Sequence, residues 1–170
     1  MNAFEVFGLQ ADTNIDLSAL ASRYRDLQSA VHPDRFANAT DVEQRIAMAR
    51  AVEINDAYHT LKDPVRRAMH LLSLKGIDAL AASDTSMPVD FLMEQVEWRE
   101  ALADAKLKED SERLEEMASE ITSILHSLGD TFAAAWRGEH LPVATTLARK
   151  MRFMQKLGDE VDASLADLEQ

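Results

Sequence analysis

Apolar positions recur along this chain at i, i+3, i+4 and i+7, and no stretch alternates with the period of two that marks a half-buried strand. Leu17, Leu20, Ala21, Tyr24, Leu27, Gln28 and Val31 form one helical stripe. Ala47, Ala51, Ile54, Tyr58 and Leu61 form a second, behind a Thr40-x-x-Glu43 pattern that suits a capping box. The two stripes have the length to pack as an antiparallel hairpin, with Tyr24, Tyr58 and Ile54 in the core. Residues 3–7 and 65–74 add short flanking helices. From Ile77 to Met87 the chain reads IDALAASDTSM, small and polar, the composition of a connection. Three more helices follow: one over residues 88–104, one through Leu114, Met117, Ile121, Leu125, Leu128 and Phe132, and one through Leu147, Met151, Met154, Leu157, Val161, Leu165 and Leu168. Long amphipathic helices with short connections make a bundle. The pattern therefore predicts an all-α protein with a helical-hairpin unit over 1–75, a linker over 76–87 and a three-helix unit over 88–170.

The punctuation agrees with this division. Pro33, Pro64, Pro88 and Pro142 all fall where a helix starts or stops, as a residue with fixed φ and no N–H must. Gly8, Gly76 and Gly138 each follow an apolar run and are expected to close helices in the left-handed conformation.

Composition narrows the function classes. Hydrophobic residues make up 46% and charged residues 28%, enough apolar surface for a packed core. The absence of cysteine removes disulfides, thiolate zinc sites, cysteine-ligated clusters and thiol nucleophiles. No basic leader or membrane-length apolar run is present, so a cytoplasmic protein with no membrane partner is expected. The net charge of −12 opposes nucleic-acid binding, which needs clustered Lys and Arg. That charge is uneven: residues 1–75 hold 10 acids and 9 bases, net −1, whereas residues 76–170 hold 20 acids and 9 bases, net −11. Two units with different partners are implied.

The most distinctive local feature is AVHPDRF, residues 30–36. Pro33 forces His32 out of the helical region and so ends the Leu17–Val31 stripe. The turn projects an imidazole and a carboxylate, a donor and an acceptor, into the loop between the two hairpin helices. Such a loop is able to grip an arginine or backbone groups of a partner. With the preceding stripe, HPDRF and VEINDAYHTLKDPVRRA (52–68), it resembles a J-domain over roughly the first 75 residues. The resemblance implies a co-chaperone that docks on a DnaK-type ATPase and stimulates it, with His32, Pro33, Asp34 and the adjoining Arg35 in the contact loop. It implies further basic contacts on the second helix. These are matched in part, by Arg23 and Arg25 among Ser22, Asp26 and Ser29.

No Gly/Phe-rich segment or cysteine module follows. A J-domain joined to an acidic three-helix unit resembles the HscB-type co-chaperones of iron-sulfur cluster assembly, through FLMEQVEWREAL (91–102) and KMRFMQKL (150–157). The residues allow an independent reading. At about 100° per residue, Phe91, Gln95, Trp98 and Leu102 cluster within roughly 60° as a core stripe, while Leu92, Met93 and Val96 centre roughly 140° away. One helix does not turn both faces to one small core, and Glu97 and Glu100 beside the second face favour solvent or a partner. Phe153 stands roughly 100° off its own helix's stripe through Leu147, Met154 and Val161, with no evident internal home. The resemblance implies that Leu92, Met93, Val96 and Phe153 bind an IscU-like scaffold protein, with Glu97 and Glu100 reading its basic groups, for delivery to an HscA-like chaperone. The alternative is a J-domain adaptor that brings a different or unfolded client.

An enzyme is disfavoured. A His32–Asp34 dyad or a His126/His140 metal site lacks ligand spacing, a phosphate-cradling loop or a pocket-forming sheet. LKEDSERLEEM (107–117) has no EF-hand pattern and reads as a solvated helix face. His59, His70, His126 and His140 are expected at the surface or its boundary. No cofactor, metal or catalytic residue is expected.

Overall fold

Local capping signals set most element boundaries in the computed structural model, which describes residues 1–81 and 87–170. Asn2 and Glu5 make a reciprocal capping box at the start of α1 (Ala3–Val6). Asp16 accepts from the Ala19 N–H at the start of α2 (Leu17–Ala30). Thr40 accepts from Glu43 N–H at the start of α3 (Asp41–Lys62). α4 (Pro64–Leu74) begins on Pro64, whose missing N–H forfeits no helical bond there. α5 (Val89–Leu107) follows Pro88, α6 (Ser111–Arg137) is capped by Asp110, and α7 (Leu141–Leu168) carries Pro142 in its first turn. No strand occurs among the described residues, so the all-α expectation holds.

The chain divides into two units, Met1–Leu74 and Lys75–Gln170. In the first, α2 and α3 form the antiparallel hairpin, joined by a single 3-10 turn, Pro33–Phe36. Phe4, Leu20, Ile54, Leu61, Leu71 and Leu72 lie at its centre, all at 1% exposure or less. Yet α2 fully buries only Leu20. Nearer the turn the seam is aromatic and polar: the Tyr24 and Tyr58 rings stack at 3.9 Å, and the Tyr24 hydroxyl donates to Asn55 Oδ1 (2.6 Å). The Gln28 amide donates to both groups, at 2.7 and 2.8 Å. Tyr24 and Tyr58, expected as core, are therefore half-buried: Tyr24 belongs to a polar network and Tyr58 stacks against it. Two helices alone do not exclude water from their seam, so side chains with an apolar body and a polar tip suit it.

Arg67 performs a task invisible to periodicity. From α4 it donates to the Thr13 carbonyl (3.2 Å) and the Leu61 carbonyl (2.7 Å), tying the loop before α2 to the end of α3. Burial pushes its pKa down from the usual arginine value, opposed by the nearby Asp63 carboxylate.

In the second unit α6 and α7 pack along most of their length and α5 lies against both. Leu102, Ala105, Leu114, Met117, Ile121, Met154, Leu157 and Val161 form one buried cluster. Gly158 helps α6 approach: a Cβ there would stand 3.2 Å from the Ile121 methyl. Of the expected connection over 76–87, Ala79 is buried and its carbonyl accepts from Arg149 (2.7 Å), while residues 82–86 lie outside the described residues.

Gly8 and Gly76 adopt the left-handed conformation (φ 66° and 78°). Gly138 does not: its φ is −81°, and Glu139 takes the positive φ of 57° instead. The helix continues one residue further than expected, and the closing bonds run from Glu139 N–H to Trp136 and from His140 N–H to Ala135.

Candidate functional site

Two exposed surfaces carry the candidate residues, one in each unit. The first is the hairpin tip. His32 sits at φ −59°, ψ 138°, the extended conformation that a following proline imposes, and α2 ends at Ala30. Its Nδ1 accepts from the Asp34 N–H (3.2 Å) and lies 3.6 Å from the Asp34 carboxylate. An accepting Nδ1 places the imidazole proton on Nε2, leaving a donor on a ring whose side chain is 59% exposed. The Asp34 side chain is 93% exposed, a carboxylate presented almost entirely to solvent. Gln44 of α3 donates to the Phe36 carbonyl (2.9 Å) and steadies the turn from behind.

Arg25, Gln28, Ser29, Val31, His32, Pro33, Asp34, Arg35 and Ala51 line one open groove of about 540 Å³. Arg25, His32, Pro33, Asp34 and Arg35 thus come together. Arg23 does not join them: its guanidinium donates to the Phe7 carbonyl and lines a separate cleft with Leu9, Asp12 and Ile15. Its hydrogen bond anchors the segment after α1 to α2, an architectural use that its place in the sequence did not reveal.

The second surface lies on α5 and α7. Phe91 and Leu102 are buried and Trp98 is half-buried, so the inward stripe of α5 is the expected one. Leu92, Met93 and Val96 are 45%, 60% and 57% exposed, and Glu97 and Glu100 are exposed beside them. Phe153 differs from expectation. It is half-buried, its ring edge-on to Phe91 with centroids 5.6 Å apart, and the Arg99 guanidinium lies 5.4 Å over it. It does have an internal partner, because α5 supplies a neighbour that a helical wheel of α7 alone does not show. Arg99 also pairs with Glu160 across the two helices, and this hydrogen bond, first, holds the Glu160 carboxyl below its ordinary pKa.

Comparison with known proteins adds to this geometry. Residues 2–70 match the DnaJ domain, and residues 87–162 match the family described as HSCB C-terminal oligomerisation domain. A co-chaperone protein HscB homolog of Shewanella halifaxensis is 42% identical over 169 residues, covering 95% of each chain. The chain belongs to the HscB co-chaperone family. Chaperone HscB from Vibrio cholerae superposes with a TM-score of 0.87 at 36% identity, covering 99% of both chains. The human HscB co-chaperone gives 0.89 at 28% identity, covering 96% of this chain and 81% of its own.

Family membership places the J-type tip and the acidic helical unit in one co-chaperone architecture. Among the described residues no cluster of His, Asp and Glu could hold a metal ion, and no helix is long and apolar enough to cross a membrane. His126 lies 3.7 Å from Asp130 on the exposed face of α6. His70 has a structural use: its Nε2 accepts from the Ala3 N–H (3.2 Å), its ring stacks on Phe4, and burial lowers its pKa. Arg67 and Arg99 lie inside segments that carry the family resemblance, but their roles, like those of His70 and Glu160, are not legible there because each acts through contacts made only in the tertiary fold.

Proposed function

We propose that this protein stimulates the ATPase of a specialised, HscA-like DnaK-type chaperone through its hairpin tip and delivers to it an IscU-like iron-sulfur scaffold protein held on the α5–α7 surface. The observation that carries the reading is that each unit presents its own exposed recognition chemistry: a bare carboxylate and imidazole on one, and uncovered aliphatic side chains on the other.

At the tip, Asp34 is an anionic acceptor for an arginine or backbone donors of the chaperone, and His32 is a donor beside it. Arg25 and Arg35 flank the groove with positive charge, which steers encounter with an acidic partner. Arg23 belongs to this flank by charge alone, since its guanidinium is already engaged by Phe7. Hydrolysis itself takes place in the chaperone, so no catalytic residue is assigned here.

On the second unit, Leu92, Met93, Val96 and the uncovered part of Phe153 make the apolar contact, with Glu97 and Glu100 for basic groups of the client. Because each of the four is already about half covered, burying the rest contributes roughly 3–6 kcal/mol in gross terms, and association costs reduce this to the moderate affinity that suits a carrier.

The test is ATP turnover by the purified chaperone with the co-chaperone, the scaffold, both or neither. The two together are expected to stimulate more than the product of their separate effects. Equal stimulation with and without scaffold would favour an adaptor for another client.

A further inference from the structure

The side chains of α5 change chemistry in a fixed order around the helix. With Phe91, Gln95, Trp98 and Leu102 pointing inward, a turn of about 100° per residue places Lys106 and Arg99 first to one side. Leu92, Ala103, Val96 and Leu107 come next, and then Glu100, Met93, Asp104 and Glu97 on the far side. The basic side is the one facing α7, because Arg99 pairs with Glu160 and lies over the Phe153 ring. The middle strip is solvent-exposed throughout and ends on Leu107, which is 85% exposed. It is apolar, with cations along one edge and carboxylates along the other.

α7 reinforces the basic edge. Residues 141–158, LPVATTLARKMRFMQKLG, contain four bases and no acid, in a unit where Lys75–Gln170 carries 20 acids and 10 bases. Two cations cap the aromatic pair from opposite partners: Lys150 lies 5.4 Å from the Phe91 ring and Arg99 the same distance from Phe153. Glu160 pairs with Arg99, and that hydrogen bond first, then the charges of Arg99, Lys106 and Lys156, hold its carboxyl below the ordinary pKa against the opposing effect of burial. One carboxylate against three cations leaves this seam positive on a strongly negative unit. Lys106 and Lys156 are both exposed.

We infer that this seam is a second recognition element of the client surface: Arg99, Lys106 and Lys156 take an acidic group of the bound client, while Glu97 and Glu100 across the apolar strip take its basic groups. The inference rests on the client-binding reading above and adds polarity to it. Burial of aliphatic side chains is non-directional and by itself permits a client to seat in either sense along the strip. Opposite charges on the two edges admit one orientation, because the reversed one sets like charges against each other at both edges.

The test is calorimetric titration of the full-length protein with the IscU-type scaffold protein at low and high salt. Lys106→Glu/Lys156→Glu is expected to weaken binding about tenfold or more at low salt, with most of the loss disappearing at high salt as the edge charges are screened. Lys106→Gln/Lys156→Gln, which removes charge without reversing it, should fall between. Leu92→Ala/Val96→Ala serves as the reference for the apolar contact. If both lysine variants bind within about twofold of wild type while the aliphatic variant is weakened, the seam is idle and the client reading stands without it. If the aliphatic variant also binds like wild type, the client reading itself fails and the inference with it. A loss that is the same at both salt concentrations marks disrupted structure and equally overturns the electrostatic assignment.

Discussion

Asp34 and Arg67 are both charged residues of the first unit, and their environments dictate opposite consequences of mutation. Asp34 is almost wholly exposed and touches only its own turn. Asp34→Asn should therefore change folding stability by no more than about 0.5 kcal/mol while abolishing ATPase stimulation, since a neutral amide no longer offers an anionic acceptor. Retained stimulation by the folded variant would falsify the tip assignment. Arg67 is half-buried and holds two backbone carbonyls. Arg67→Met should cost about 1–3 kcal/mol in urea unfolding, because the carbonyls of Thr13 and Leu61 lose the hydrogen bonds from its guanidinium. His70 supplies a pH dependence. Its folded pKa lies below the ordinary histidine value, so the unfolded chain binds the extra proton first as pH falls. Its contribution is complete above the unfolded pKa and is lost as pH drops from there toward the folded one, where a protonated Nε2 would face the Ala3 N–H it now accepts from. Between pH 7.5 and 5 the wild type should lose more stability than His70→Gln, measured by urea midpoint; parallel curves would remove His70 from the account.

At the scale of the element, α5 is the most informative helix. Its sequence is apolar on two sides, and a helical wheel alone sets Leu92, Met93 and Val96 apart from Phe91, Trp98 and Leu102. Because those three remain exposed, Leu92→Ala/Met93→Ala/Val96→Ala should shift stability by only about 0.5 kcal/mol per site, yet weaken scaffold binding at least tenfold. A loss of several kcal/mol in denaturant without specific loss of binding would make them core. Phe153 was less legible. A wheel drawn on α7 gives its direction relative to its own stripe but says nothing of which neighbour stands there, and Phe91 and Arg99 of α5 do. Gly138 fails for a related reason: composition marks a helix end, but the final hydrogen bonds decide which residue carries the left-handed turn.

The whole molecule is a chain of two units with separate cores and very unequal charge. The proposed division of labour then makes a prediction about fragments. Met1–Leu74, which contains its own buried core, should fold alone and stimulate the chaperone's basal ATPase, but should show no synergy with scaffold. Adding Lys75–Gln170 as a separate chain should not restore it, since delivery requires the tip and the client to arrive on one molecule. Synergy from the isolated first unit would place client recognition elsewhere.

The amino-acid sequence by itself determined the all-helical class, the starts of the helices at Thr40, Pro64, Pro88 and Pro142, the bend at His32–Asp34 and the two-sided character of α5. These are local quantities, set by backbone sterics, capping bonds and a period of 3.6 residues, and they are complete within a few turns of chain. Tertiary structure alone decided that Arg23 is tied to Phe7, that Tyr24 and Tyr58 sit in a polar seam, that Arg67 ties the loop before α2 to the end of α3, and that Arg99 and Glu160 join α5 to α7 beside Phe153. Each of those depends on side chains from distant elements meeting at hydrogen-bonding or stacking distance, and the order of residues along one helix carries no information about what another will bring against it.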